Sequence, residues 1–151
     1  MTPELIARLA GIDGVVAVKE CSGDARRIAA IINATDDFEV LVGGDDWALE
    51  GFLAGATGWV AGVANIAPSE CVELQRLCVE GQLEEARELY ARLLPLGRLD
   101  MRTKLVQYFK AAMDLAGHDG GPCRPPRLAL TEAEQRELEE AVRALRVGVP
   151  G

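Results

Sequence analysis

Three short apolar runs, each followed by a stretch with helical spacing, constrain this chain more than any other feature. They are Gly14-Val15-Val16-Ala17-Val18 ahead of Lys19, Phe38-Glu39-Val40-Leu41-Val42, and Gly58-Trp59-Val60-Ala61-Gly62-Val63. A nearly continuous apolar run predicts a strand buried on both faces, as in a parallel sheet with helices outside, because a half-solvated strand would alternate. Each run leads into a polar break and then a helix. Ser22-Gly23-Asp24 caps a helix with Ile28, Ile31 and Ile32 inward. Gly43-Gly44-Asp45-Asp46 precedes a helix over 47–54, and Pro68 starts one running to about 79. Ahead of the first run, Thr2-Pro3 opens a helix that turns Leu5, Ile6 and Leu9 inward and stops at Gly11.

After Gly81 the alternation ends. Residues 83–94 form an amphipathic helix halted by Pro95, and residues 101–116 form another halted by Gly117. Residues 117–126 read as a loop, and Thr131-Glu132-Ala133-Glu134 is a capping box for a last helix striped by Leu138, Ala141, Val142 and Leu145. The tail from Val147 is expected to fray. The expected fold is therefore α/β. It consists of a partial (β/α)8 TIM barrel, its last three βα units over 1–80, followed by a C-terminal helical layer over 81–151 of the same domain. A barrel needs eight such units. Three leave a short sheet with open edges, a surface that invites another chain.

With 24 acidic and 16 basic residues the net charge is -8, which argues against nucleic acid or an anionic membrane as partner. No basic N-terminal region precedes an apolar one, and no apolar run is long enough to span a bilayer. Cys21, Cys71, Cys78 and Cys123 form no CxxC pair and read as reduced thiols of a cytoplasmic protein.

Lys19 closes an otherwise apolar strand. Burying it there costs desolvation, which favours the neutral amine, and a neutral amine is what attack on a ketone needs. Lysines also sit at strand ends simply where a strand reaches solvent. Cys21, two residues on, shares the lysine's face and reads as a wall. Asp45 and Asp46 read as a solvated loop capping the next helix. His118 reads as a surface residue, and Tyr90 and Tyr108 as packing groups on helices. Cys71 and Cys78 read as buried small hydrophobes.

The string from Gly14 to Asp24, with its apolar strand, Lys19-Glu20, Cys21, Ser22, Gly23 and Asp24, resembles the Schiff-base-lysine segment of the dihydrodipicolinate synthase and N-acetylneuraminate lyase family. The resemblance runs on in order through Val42-Gly43-Gly44-Asp45-Asp46, through residues 55–65, and through the terminal helices with their Glu80-Gly81-Gln82 break. It implies a class I lyase in which Lys19 forms an imine with pyruvate or a related 2-oxo acid. Gly43 and Gly44 would let backbone approach that substrate, and Val60 would line the pocket beside the imine. It implies no cofactor and no metal in the chemistry. The family's proton-relay tyrosine and carboxylate-binding loop match nothing here, so the chain is expected to be inactive alone and to form a homo-oligomer or pair with a complementing N-terminal half. Leu99-Asp100 with Lys104-Leu105-Val106-Gln107-Tyr108 looks like the 1-pyrroline-4-hydroxy-2-carboxylate deaminases, and Gly120-Gly121-Pro122-Cys123-Arg124 like the 4-hydroxy-2-oxoglutarate aldolases. A non-catalytic fragment or an interaction subunit is the alternative from another class.

Overall fold

The computed structural model describes residues 1–146, so the tail from Val147 lies outside the described residues. Helix α1 (Pro3–Ala10) starts as the sequence dictates. The Thr2 hydroxyl accepts the Leu5 N–H at 3.3 Å, and Pro3 occupies a position whose own N–H would have no partner. Only Ile6 of its apolar face is buried, and Leu5 stays exposed. The run after it reaches the sheet later than expected. Gly14 turns with a φ of 84° and the Val15 N–H goes back to Ile12, so strand β1 is confined to Ala17–Glu20.

Helix α2 (Arg26–Ile32), strand β2 (Glu39–Val42), helix α3 (Ala48–Leu53), strand β3 (Gly58–Trp59) and helix α4 (Pro68–Val79) complete the alternating part. The strands pair in parallel in the order β1-β2-β3, with Lys19 opposite Leu41 and Leu41 opposite Gly58. Side chains alternate across a strand. Val40 and Val42, 1% and 0% exposed, face the helices, and Leu41 and Lys19 face away from them. Gly51 of α3 lies so close over Val42 that an added Cβ would come within 2.4 Å of it. In α2, Ile28 and Ile31 are fully buried, while Ile32, the last residue of the helix, is 36% exposed.

The register assigns the two faces of the sheet. Val18 pairs with Val40 and packs on the helix-covered side; Leu41 and Val60, not Val18, share the uncovered face with Lys19.

Strand β3 is shorter than its apolar run. The Val60 N–H still reaches the Val42 carbonyl at 2.9 Å, but the N–H groups of Gly62 and Val63 turn to the Asp45 carboxylate, and the backbone winds into a 3-10 turn (Val63–Asn65).

Helices α5 (Leu83–Gly97), α6 (Leu105–Leu115) and α7 (Glu132–Arg146) form the helical layer. Helix α5 runs through Pro95 rather than stopping there. Proline removes only the N–H that would have met the carbonyl of Ala91, an exposed residue, and Leu93, Leu96 and Leu99 on either side are at most 2% exposed. A 3-10 turn (Arg98–Met101) then delays α6 to Leu105. The capping box is formed in both directions, with the Glu134 N–H to the Thr131 hydroxyl at 3.3 Å and the Thr131 N–H to the Glu134 carboxylate at 2.6 Å. Lys104 adds a bond at 2.7 Å, and these partners hold the Glu134 carboxyl down at about 2. Thr131→Ala is expected to cost about 1 kcal/mol in a urea titration, with an unchanged m-value. Among the described residues no helix is long and apolar enough to cross a membrane.

Candidate active site at the strand ends

The ends of β1 and β2 bring Lys19, Cys21 and Gly43 together. A Cβ at Gly43 would lie 2.1 Å from Cys21 Sγ, 2.6 Å from the Glu20 carbonyl oxygen and 2.9 Å from Lys19 Cε. The missing side chain is therefore the space through which the lysine stem and the thiol pass, while the Gly43 N–H bonds the Glu20 carbonyl at 2.7 Å. Gly43→Ala is expected to displace both side chains and lower stability by about 1–3 kcal/mol, read by denaturant unfolding. Gly44 is excluded from carrying a side chain for another reason: the Trp47 indole occupies the place, its Nε1 2.0 Å from where a Cβ would be. Val60 lies on the same face of the sheet and is 45% exposed.

Lys19 itself is exposed, not buried as its apolar strand led us to expect. The strand's neighbours explain this: the helices cover the opposite face, and no described element covers the one that carries Lys19.

Glu20, next in sequence, points the other way and is 4% exposed. It accepts the Ser22 N–H at 2.6 Å and the Arg27 guanidinium at 3.1 Å, fixing the turn that follows the lysine. Burial pushes its carboxyl up, but these bonds outweigh it and the net direction is down.

Asp45 overturns its expected place in a solvated loop. It is 2% exposed and accepts the Gly62 N–H at 3.0 Å and the Val63 N–H at 2.7 Å, clasping the β2 loop to the turn after β3. Burial raises its carboxyl to about 6, with the Asp100 charge adding to the rise and the two N–H bonds opposing it. Gly97 lies against this loop, where a Cβ would meet the Asp45 carbonyl oxygen at 2.8 Å. The 3-10 turn after α5 thereby places Asp100 within the field of Lys19 and Asp46. Its carboxyl is raised by burial and by Asp46, and lowered by the Asp45 backbone and Lys19. Nothing local in the sequence links Asp100 to Lys19, since 81 positions separate the two. The close approach of Gly97 to the Asp45 backbone, with Leu99 buried beside it, brings that turn here.

His118 is exposed, Tyr90 and Tyr108 are buried at 6% and 2%, Cys71 is buried and Cys78 half-buried, and all four cysteines are free. Burial pushes the Cys71 thiol up to about 12.

A parallel βα sheet with a lysine at a strand end on its uncovered face, followed by a helical layer, is the class of arrangement that fold and site define. Residues 1–145 match the Dihydrodipicolinate synthetase family, and the chain belongs to it. It is 38% identical over 95% of its length to the 4-hydroxy-tetrahydrodipicolinate synthase of Archaeoglobus fulgidus, of which it covers 50%. To that of Methanothrix thermoacetophila it is 36% identical over 94%, covering 49%. Among solved structures, dihydrodipicolinate synthase from Bacillus anthracis superposes with a TM-score of 0.89 at 28% identity, over 99% of this chain and 50% of that one. The 4-hydroxy-tetrahydrodipicolinate synthase of Methylacidiphilum fumariolicum gives 0.88 at 28% identity, over 96% and 49%. The chain spans about half the length of the relatives it matches.

Proposed function

We propose that this chain supplies the imine-forming part of a class I lyase acting on pyruvate or a related 2-oxo acid. The observation that carries the reading is Lys19, held at the end of β1 on the uncovered sheet face with its Cε across the gap left by Gly43. Its Nζ attacks the C2 carbonyl of the 2-oxo acid, water leaves, and the resulting iminium draws electrons from the neighbouring carbon for bond formation, cleavage or elimination. Gly43 keeps the space beside the imine free of a side chain, Gly44 is backed by the Trp47 indole, and Val60 forms the apolar wall beside the imine.

The three strands act in this reading as part of a (β/α)8 barrel, completed by further βα units from a complementing N-terminal half or by self-association. Both supports are physical: β1 and β3 each pair on one side only among the described residues, and Val60, Leu41 and Lys19 share a face without helical cover. Closing that face would exclude water from Lys19. The chain alone is expected to sediment above its monomer mass of 16.2 kDa and to show no lyase turnover on 2-oxo acids. A soluble monomer with turnover would overturn the reading that further βα units are needed.

A further inference from the structure

We infer that the helical layer holds a binding site for a small amphipathic anion, a carboxylate or phosphate head on an apolar body, separate from the strand ends. Two adjoining cavities lie between α6, α7 and the segment that joins them. The larger, about 580 Å³, has an apolar floor that includes Ala111, Leu130 and Leu138. The smaller, about 250 Å³, is lined by Val106, Lys110, Pro122, Cys123, Arg124 and Arg127, three cations and no carboxylate. Lys110, Pro122, Cys123 and Arg127 border both chambers, so an anionic head in the small one can continue into an apolar body in the large one.

The chambers are built into the fold by the way the connecting segment is braced. At one end the Gly120 N–H donates to the Asp114 carboxylate at 2.9 Å and Lys110 Nζ donates to the Gly120 carbonyl. The backbone there lies so close to α6 that a Cβ on Gly120 would sit 2.1 Å from the Lys110 carbonyl oxygen. At the other end Gln107 and Lys104 donate to the carbonyls of Leu128 and Ala129, each at 3.0 Å. Between these braces residues 121–127 stand away from α6 and leave two open clefts beside it.

Charge decides the occupant. Neither Arg124 nor Arg127 has an ion-pair or hydrogen-bond partner for its guanidinium among the described residues, in a chain with a net charge of -8. Two planar donors facing an acid-free chamber select a carboxylate or phosphate, which each can bind through paired N–H groups. The larger chamber also carries Asp114 and Glu139. Asp114 is engaged with Gly120, and Glu139 on α7 lies outside the small chamber's lining, so the anionic head belongs beside the arginines. A volume of several hundred Å³ with an apolar floor and a few converging polar groups is the size and character of a small-molecule site.

Cys123 borders both chambers and serves as the local reporter. The full chain is alkylated with iodoacetamide in the presence of octanoate, octyl phosphate, octanol, acetate or inorganic phosphate, and labelling is followed separately at Cys123 and Cys21 by peptide mass. Octanoate or octyl phosphate at millimolar concentration is expected to slow Cys123 labelling and leave Cys21 unchanged. Octanol, acetate and phosphate alone are expected to be weaker by about tenfold or more, because each supplies only one half of the recognition. Comparing the two amphiphiles tells which head group the chamber takes. Arg124→Gln with Arg127→Gln, both on exposed positions, is expected to abolish protection while the far-ultraviolet circular dichroism stays unchanged. No protection by either amphiphile, equal protection by octanol, equal slowing at Cys21, or protection that survives the double substitution would each overturn the inference.

Discussion

Pyruvate followed by borohydride is expected to leave a stable secondary amine on Lys19 when the chain is combined with the first half of a full-length relative such as the Archaeoglobus fulgidus synthase. Lys19→Ala is expected to abolish it. The effect is all or none because borohydride traps only the imine, and the imine needs a primary amine at the place where the carbonyl is held. Geometry favours Lys19 over the other lysines. Lys104 Nζ is engaged with Glu134 and the Ala129 carbonyl, and Lys110 Nζ with the Gly120 carbonyl, both in the helical layer. Lys19 Cε instead lies at the Gly43 gap on the uncovered sheet face. Mass mapping of the adduct to Lys104 or Lys110 would refute the assignment. The same treatment of the isolated chain is expected to give little adduct, since in the proposed reading the group that orients the carboxylate of the 2-oxo acid comes from the complementing half.

The second large effect is expected at Asp45. Replacing it by alanine leaves the half-buried Gly62 N–H and the buried Val63 N–H without an acceptor, at about 1–3 kcal/mol each. Against this, removing a charged carboxylate from a buried place is favourable at neutral pH. The net loss is set at about 2–4 kcal/mol at pH 7. The pH dependence separates the two contributions. Asp45 is raised from 3.8 to about 6, so the folded chain holds this proton more tightly than the unfolded chain does. Protonation therefore stabilises the fold. The contribution is fully present below the unfolded value and is lost as pH rises through about 6. A shift of roughly two units corresponds to about 3 kcal/mol. The stability gap between the parent chain and Asp45→Ala should accordingly widen as pH falls from 7 toward 4, measured by urea unfolding at each pH. A gap that narrows over this range would show that Asp45 is not the buried acid described here.

The sheet was legible because its signal is local. Continuous apolar runs ending in Gly-Gly and Ser-Gly breaks lead to parallel pairing, and period-two alternation puts Lys19 opposite the face that Val40 and Val42 bury. The Thr131 box and the stripe on α7 were legible for the same reason. What the sequence concealed depends on partners distant along the chain. Asp45 sits in Gly43-Gly44-Asp45-Asp46, a string that reads as a polar turn, and its burial is decided by N–H groups 17 and 18 residues later. Those same N–H groups shorten β3, which its apolar composition cannot reveal. The exposure of Lys19 likewise depends on what covers a sheet face, a property of neighbouring elements and not of the strand. Pro95 misleads because the rule against proline in helices assumes that the freed carbonyl has nowhere to go, whereas Ala91 is exposed.

The seat of Gly97 on the Asp45 backbone sets where this chain can accept new sequence. The turn at Gly81, with a φ of 73° and nothing within 4 Å of where a Cβ would be, can take an inserted segment without disturbing its neighbours. A single residue added between Gly97 and Leu105 would rotate the following helix by about 100° and pull Asp100 away from the strand ends. Variation among relatives that preserve the lysine chemistry should therefore accumulate as length changes at the first place and as side-chain exchanges, without length change, at the second.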